Sequence, residues 1–422
     1  MSRRFASLAL LIGLAAPTSA YAVEISISCS ALGQEYEICK QGVDAWSKKT
    51  GNTAKIVSTP NSATERLALY QQLLAAGAGD IDVFQIDVVW SGMLSQHFQD
   101  LTANAQGVID QHFPTMIETS RVKGKLVAMP WFADAGLLYY RKDLLQKHNR
   151  PVPQTWSDLT ETARTVQAAE RQGGSRDLWG FVWQGRAYEG LTVNALEWVS
   201  SHNGGTIVDE KGEITINNPK AAAALKTAAG WVGTITPEGV LNYTEEESRG
   251  VFQAGNAVFM RNWPYAWALA QGPESAIKDK VGIAPLPKGG GDGRNAGTLG
   301  GQLLAVSRYS KNTEAATDLV MYLTSADEQK RRAIAGSFNP TIPTLFKDAA
   351  ITKANPFMGD LLTVFTNAVA RPAAATGDNY NKVSTEFFDT VHQVLSKRAE
   401  PEQALSRLDR DLKRIKRSGW QE

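Results

Sequence analysis

The chain has 422 residues, 43% hydrophobic and 21% charged, an ordinary globular mixture that excludes extended disorder and collagen-like states. A single hydrophobic core stops growing near about 250 to 300 residues, so this length calls for two lobes. Lys and Arg number 44 against 43 Asp and Glu, a formal charge of +1, so no positive field gathers phosphate backbones or anionic lipid and nucleic acid is not an expected partner.

In chain order, Arg3 and Arg4, an apolar run from Phe5 to Ala16 and the small-residue pattern Ala20-Tyr21-Ala22 read as a signal peptide, residues 1–22, cleaved after Ala22. General secretion suits these residues better than twin-arginine export, because Phe5 directly follows the arginine pair. No cysteine directly follows the cleavage site, so no lipid anchor is expected. No later stretch reaches about 18 uninterrupted apolar residues, the length a membrane helix needs. Cys29 and Cys39 stand close together in CSALGQEYEIC. In an exported chain such a pair is expected to be bridged, with two buried thiols as the alternative.

Strand-like and helix-like runs alternate from Val23, the pattern of parallel βαβ layering. EISISCS and AKIVST are expected strands, and EICKQGVDAWSKKTG between them has helical periodicity with a terminal Gly51. Ser62-x-x-Glu65 predicts a capping box opening the next helix, in which each side chain satisfies the other's amide, and Gly77 ends it. IDVFQID is the third strand, and VWSGMLSQHF is expected to continue as a helix. Pro130 argues against one uninterrupted central strand in GKLVAMPWFADAGLLYYR, predicting two strands with a crossing between them. Further helices are expected from Thr155, from Gly190 to Ser201 and from Asn218-Pro219, with strands LWGFVWQ, AVFMRNW, KVGIAPLP and GQLLAVS. Helices dominate from Asn312, broken at Asn339-Pro340 and near Arg371-Pro372. Gly291-Asp292-Gly293-Arg294-Asn295-Ala296 loosely matches a dinucleotide loop, but it precedes a strand and lacks the helix N-terminus that receives a pyrophosphate.

In open α/β sheets ligands bind at the carboxyl ends of strands, so polar residues that close apolar strands mark candidate sites. Asp87 closes the third strand, either as a ligand group or as a cap for the following helix. Asp134 follows Pro130, Trp131 and Phe132 and reads as a turn residue or a site residue. Asn262, Trp263, Pro264 and Tyr265 end another strand, and Trp183 and Gln184 repeat the arrangement. Rings paired with carboxylates and amides suit a neutral polyol, whose vicinal hydroxyls take paired hydrogen bonds while an aromatic plate covers the C–H face.

The segments VFQIDVVWSGML, FADAGLLYYRKDLL, WGFVWQGRAYEGL, RNWPYAW, GIAPLP and TLGG resemble those of trehalose/maltose-binding proteins among the family 1 extracellular solute-binding proteins of ABC transporters, over nearly all of the mature chain. The resemblance implies an α/β, two-lobed periplasmic-binding-protein fold of type II, maltose-binding-like, with a hinge between the lobes. It places residues 23–132 plus 302–348 in the first lobe and 133–301 plus 349–422 in the second, with hinges at Pro130 to Asp134 and Gly300-Gly301. It implies capture of an α-glucoside disaccharide and delivery to the transmembrane permease subunits by a periplasmic monomer without cofactor or metal. By the same resemblance Arg66, Asp87, Asp134, Trp263, Tyr265, Gly300 and Gly301 contact the sugar, as do Glu35, Arg371 and Tyr380. Phe132 stands where relatives use tyrosine, and Gln302 where a tryptophan plate is expected.

Two rival classes bear on the same residues. Glu35, Asp87 and Asp134 could supply a glycosidase's acid and base, although the resemblance implies binding without turnover. Tyr139-Tyr140 could suggest a ferric-ion binder, yet alternate strand residues face opposite ways. His97, His112, His148, His202 and His392 are scattered without ligand spacing.

Overall fold

The computed structural model describes residues 22–29, 33–417 and 419–420. The Arg3-Arg4 pair and the apolar run of the expected signal peptide lie outside the described residues. The first half runs β1 (Glu24–Ser28), α1 (Gly33–Thr50), β2 (Thr53–Val57), α2 (Ala63–Ala75), β3 (Val83–Asp87), α3 (Ser91–Leu94), α4 (Pro114–Ser120) and the hairpin β4 (Arg121–Val122) with β5 (Lys125–Leu126). Next come β6 (Met129–Ala135) and β7 (Leu137–Arg141), separated by Gly136 alone. The second half continues α5 (Lys142–Lys147), α6 (Trp156–Gln172), β8 (Trp179–Val182), α7 (Glu189–Ser201), α8 (Pro219–Trp231), α9 (Glu245–Gln253), β9 (Ala257–Asn262), α10 (Ala266–Ala270) and β10 (Val281–Pro285). β11 (Leu299–Val306) is followed by α11 (Thr313–Leu323), α12 (Ala326–Gly336), α13 (Ala349–Ala354), α14 (Met358–Thr366), α15 (Ala373–Thr376), α16 (Tyr380–Leu395) and α17 (Pro401–Arg417).

Two sheets organise these elements. One has the order β2-β1-β3-β11-β6, the other β10-β7-β9-β8. β1 is parallel to β2 and β3, while β11 runs antiparallel to both β3 and β6. β6 is the edge strand, which is why Pro130 is tolerated in it. The second sheet packs on a core rich in tryptophan, including Trp156, Trp183, Trp198 and Trp231. The first is covered on its two faces by separate clusters, one around Trp46 and Trp131 and the other around Tyr70, Phe84 and Trp90.

The chain changes sheets at Gly136 and again between β10 and β11. β6 and β11 remain paired through Leu299↔Ala135, Gly300↔Asp134, Gly301↔Ala133 and Gln302↔Phe132, so the segments expected at the hinges run together as one ribbon. Gly301 has φ of 126°, and a Cβ there would lie 2.4 Å from the Phe132 carbonyl oxygen, so only glycine fits.

Two local expectations change. Ser62 does accept the Glu65 amide, at 3.4 Å, but the Glu65 carboxylate meets Arg186 across the cleft mouth at 2.7 Å instead of folding back, so half the capping box is absent. The helix after Asp87 is a single turn, α3, followed by a 3-10 turn at Ser95–His97. Trp90, not Asp87, holds its N-cap position.

Cys29 and Cys39 are joined by a disulfide with Cα atoms 6.4 Å apart, and both residues are fully buried. It ties the end of β1 to α1 one turn beyond Glu35. Replacing both cysteines by serine is expected to lower unfolding free energy by about 3 kcal/mol, from the closed loop alone, read by denaturant titration. Alkylation without reduction should leave the wild-type mass unchanged; labelling of two thiols would contradict the bridge.

Candidate functional site

A cavity opens between the two sheets, the concave kind of place where small-molecule sites form. Its first-sheet wall comes from element ends: Glu35 in the first turn of α1, Arg66 in the first turn of α2, Asp87 at the end of β3, and Phe132 and Asp134 on β6. β11 contributes Gly300, Gly301 and Gln302. The opposite wall carries Trp263 and Tyr265, just past β9. Arg371 lines the cavity from the segment before α15. The structure thus gathers every sequence-predicted ligand residue except Tyr380, which is buried behind the wall with its hydroxyl on Glu189. Trp183 and Gln184 also stay out of the cavity. Gln184 instead holds Ser248 and the carbonyl of Arg261.

Sequence reasoning missed Tyr188 and Glu189 at the start of α7, Glu245 and Glu246 at the start of α9, and Phe338, all of which line the cavity. The α7 pair lies within the quoted WGFVWQGRAYEGL, yet an acid in a helix's first turn is indistinguishable in sequence from one that merely complements the helix dipole.

Charge is arranged around Arg371. Its Nη2 donates to Asp87 Oδ1 at 2.6 Å, and its Nη1 to Asp87 Oδ2 at 3.2 Å and to Glu189 Oε1 at 2.8 Å. Burial works against the guanidinium charge, but Asp87, Tyr380 and Glu189 outweigh it and hold Arg371 well above the usual arginine range. Asp87 Oδ1 also accepts the Val89 amide at 3.1 Å. Ser384 donates to the other Glu189 oxygen at 2.6 Å. Asp134 has no such compensation: burial and the neighbouring Glu35 push its carboxyl well above the carboxylate range, with Arg261 and Arg332 offsetting only part.

Two polar atoms on the first wall have no hydrogen-bond partner, Arg66 Nε and Gln302 Oε1. Arg66 is 4% exposed, and its guanidinium lies 5.6 Å from the Trp90 ring centroid. On the facing wall Trp263 Nε1 donates to Glu245 at 3.3 Å, and the Tyr265 hydroxyl donates to Glu246 at 2.6 Å. The two lobes also touch at the mouth, where Thr64 Oγ1 accepts the Glu189 amide at 3.1 Å, beside the Glu65–Arg186 pair.

Opposite stability changes are expected at two cavity aspartates. Asp87→Asn leaves Glu189 as the one carboxylate on Arg371 and should lower ligand-free stability by about 2 kcal/mol. Asp134→Asn should raise it by about 1 kcal/mol. With its pKa raised, Asp134 holds its proton more tightly folded than unfolded. The penalty is therefore absent below the ordinary carboxyl pKa and grows as pH rises toward the raised value. Melting temperatures of both variants from pH 4 to neutrality, about three units, test this; a fall in stability for Asp134→Asn at neutral pH would contradict it.

The description "bacterial extracellular solute-binding protein" fits the chain over residues 31–330. A probable ABC transporter-binding protein of Deinococcus radiodurans is 52% identical over 423 residues, covering 100% of both chains. The maltose-bound structure of T. maritima MalE3 is 41% identical, with a TM-score of 0.89, covering 93% of this chain and 100% of its own. A solute-binding protein of Agrobacterium vitis with bound D-mannitol shares the fold at 22% identity and a TM-score of 0.81, covering 95% of this chain and 100% of its own. The two-lobed, maltose-binding-like fold and these matches place this chain in the family of bacterial extracellular solute-binding proteins.

Proposed function

We propose that this protein captures an α-linked glucose disaccharide of trehalose or maltose type in the interlobe cavity and delivers it to the permease subunits of an ABC importer. The observation that carries the reading is that two residues lining one cavity with the Trp263 plate, Arg66 and Gln302, each keep a buried polar atom without a partner, Nε a donor and Oε1 an acceptor. A buried polar group without a partner costs about 1 to 3 kcal/mol, and sugar hydroxyls supply both donors and acceptors. The maltose bound to the T. maritima relative supports the disaccharide. Glu35, Asp87, Asp134, Tyr265 and Arg371 complete the proposed contacts, with Gly300 and Gly301 admitting the ligand close to the backbone. We further propose an exported, periplasmic monomer whose lobes divide near 132/133 and 301/302, with the remaining change at 348/349. Its relatives bind solutes and do not transform them.

A smaller glycoside or polyol is the second reading. Gln302 favours it, because an amide at that position offers hydrogen bonds in place of a second aromatic plate.

A thermal-shift screen over glucose, mannitol, ribitol, maltose and trehalose separates the two. A ligand at 100 times its dissociation constant adds about 2.7 kcal/mol of stability, and the largest shift is expected from a disaccharide, accompanied by a change in tryptophan fluorescence. Shifts from monosaccharides or polyols alone would overturn the disaccharide reading. Trp263→Leu is expected to weaken binding of the best sugar at least about tenfold, near 1.4 kcal/mol, in calorimetric titration.

A further inference from the structure

Behind the Trp263 plate lies an ion pair that the cavity does not reach. Arg261 on β9 and Glu197 on α7 have side chains 1% and 0% exposed. Arg261 Nε donates to Glu197 Oε2 at 2.9 Å and Nη2 donates to Oε1 at 2.5 Å. The remaining nitrogen, Nη1, donates to Gln184 Oε1 at 3.1 Å, and Gln184 in turn donates to the Arg261 carbonyl at 3.0 Å. All three guanidinium nitrogens are thus engaged, which fixes the plane of the group. That group lies 4.0 Å from the centroid of the Trp263 ring.

The pair also meets both connections between the sheets. Glu197 Oε1 accepts the Thr298 amide at 3.2 Å, just before β11. At Gly136, between β6 and β7, a Cβ would lie 2.1 Å from Glu197 Oε1 and 2.5 Å from Arg261 Nη2, so the chain passes only as glycine. The indole reaches the same ribbon from its other edge, with ring atoms 3.0 Å from the Cβ position of Gly300.

Stability alone is a weak reason for such a pair, because desolvation offsets most of its attraction and apolar residues of similar volume hold a core as well. An apolar pair cannot supply a flat cation held in one plane beneath an indole.

We propose that Arg261 and Glu197 form a positioning unit that sets the plane of the Trp263 plate and registers it against the two connections between the sheets. The inference rests on the reading of Trp263 as the face that stacks on ligand. Neither residue touches the ligand; both act through the ring.

The test uses the full chain and an apolar replacement of the pair, Arg261→Met with Glu197→Leu, made with Trp263 present and with Trp263→Leu. The replacement is expected to keep a cooperative melt and to weaken binding of the best sugar from the screen about 10-fold to 30-fold. With Trp263→Leu it should change affinity less than about threefold, because coupled residues are not additive. Arg261→Lys, which keeps the charge but not the fork, should give an intermediate loss and serves if the double replacement does not fold. Equal losses in both backgrounds, or none, overturn the proposal. A second readout needs no ligand. The near-ultraviolet circular dichroism difference between proteins with and without Trp263 reports the ring's fixed setting, and it should fall by about half or more when the pair is replaced. An unchanged difference overturns the positioning unit whether or not any sugar binds. A wild type that binds no sugar, with the dichroism difference lost as expected, counts against the disaccharide reading instead.

Discussion

A buried guanidinium is costly unless acceptors and counter-charges meet it, and Arg371 finds its acceptors on elements from different halves of the fold. Asp87 ends β3 of the first sheet, Glu189 opens α7 beside the second, and Arg371 itself comes from the segment leading into α15. Removing any member leaves charge stranded in a low-dielectric setting, so the three segments hold one another in place. Tyr380 and Ser384 extend the constraint by donating to Glu189. The cavity wall is therefore set by a charge network before any ligand enters, which is the preorganisation that tight capture of a small solute requires.

Beside that network, whose Arg371 Nε is itself buried without a partner, stand other groups the fold leaves in deficit. Arg66 Nε and Gln302 Oε1 have no partner, and the raised Asp134 shows that its ionised form is poorly accommodated. All three residues line the cavity. Groups of this kind lower the stability of the empty protein and strengthen a ligand able to complete them, the usual tension between stability and function at a binding site. Under the proposed reading, the hydroxyls of the sugar relieve these deficits while the ion pairs of Arg371 persist.

Much of this was legible in sequence because the signals were local. Asp87 is conspicuous as a carboxylate closing an apolar strand, Pro130 marks an edge strand, and Thr155 and Asn218 cap the helices they were expected to open. What failed involved choices between distant partners. Glu65 has the spacing of a capping box, but Arg186, 121 residues away, offers its carboxylate a full charge in place of an amide. Glu189, Glu245 and Glu246 look like ordinary first-turn acids, and only the folding of α7 and α9 against the cleft gives them a second role. Tyr380 was assigned to the cavity by resemblance, yet its ring is buried one layer back, where its hydroxyl donates to Glu189.

The departures at Phe132 and Gln302 have a physical counterpart on the first wall. Phe132 and Phe338 pack edge to face, with centroids 5.0 Å apart, and Arg332 lies behind them, 5.1 Å from each ring and 4.1 Å from Trp131. Unlike Arg261, this guanidinium makes one hydrogen bond, to the Trp131 carbonyl, and leaves Nε and Nη2 without partners. Burial lowers its pKa to about 9, with Glu35 and Glu328 opposing the shift. Each aromatic wall of the cavity is thus backed by a buried cation, but only the Trp263 side has its cation locked by a fork. A tyrosine at 132 would add a hydroxyl to this side, and a tryptophan at 302 a second plate. Under the proposed reading, the C–H face of the sugar therefore falls to the Trp263 plate with its locked cation, and the hydroxyls to the polar groups of both walls.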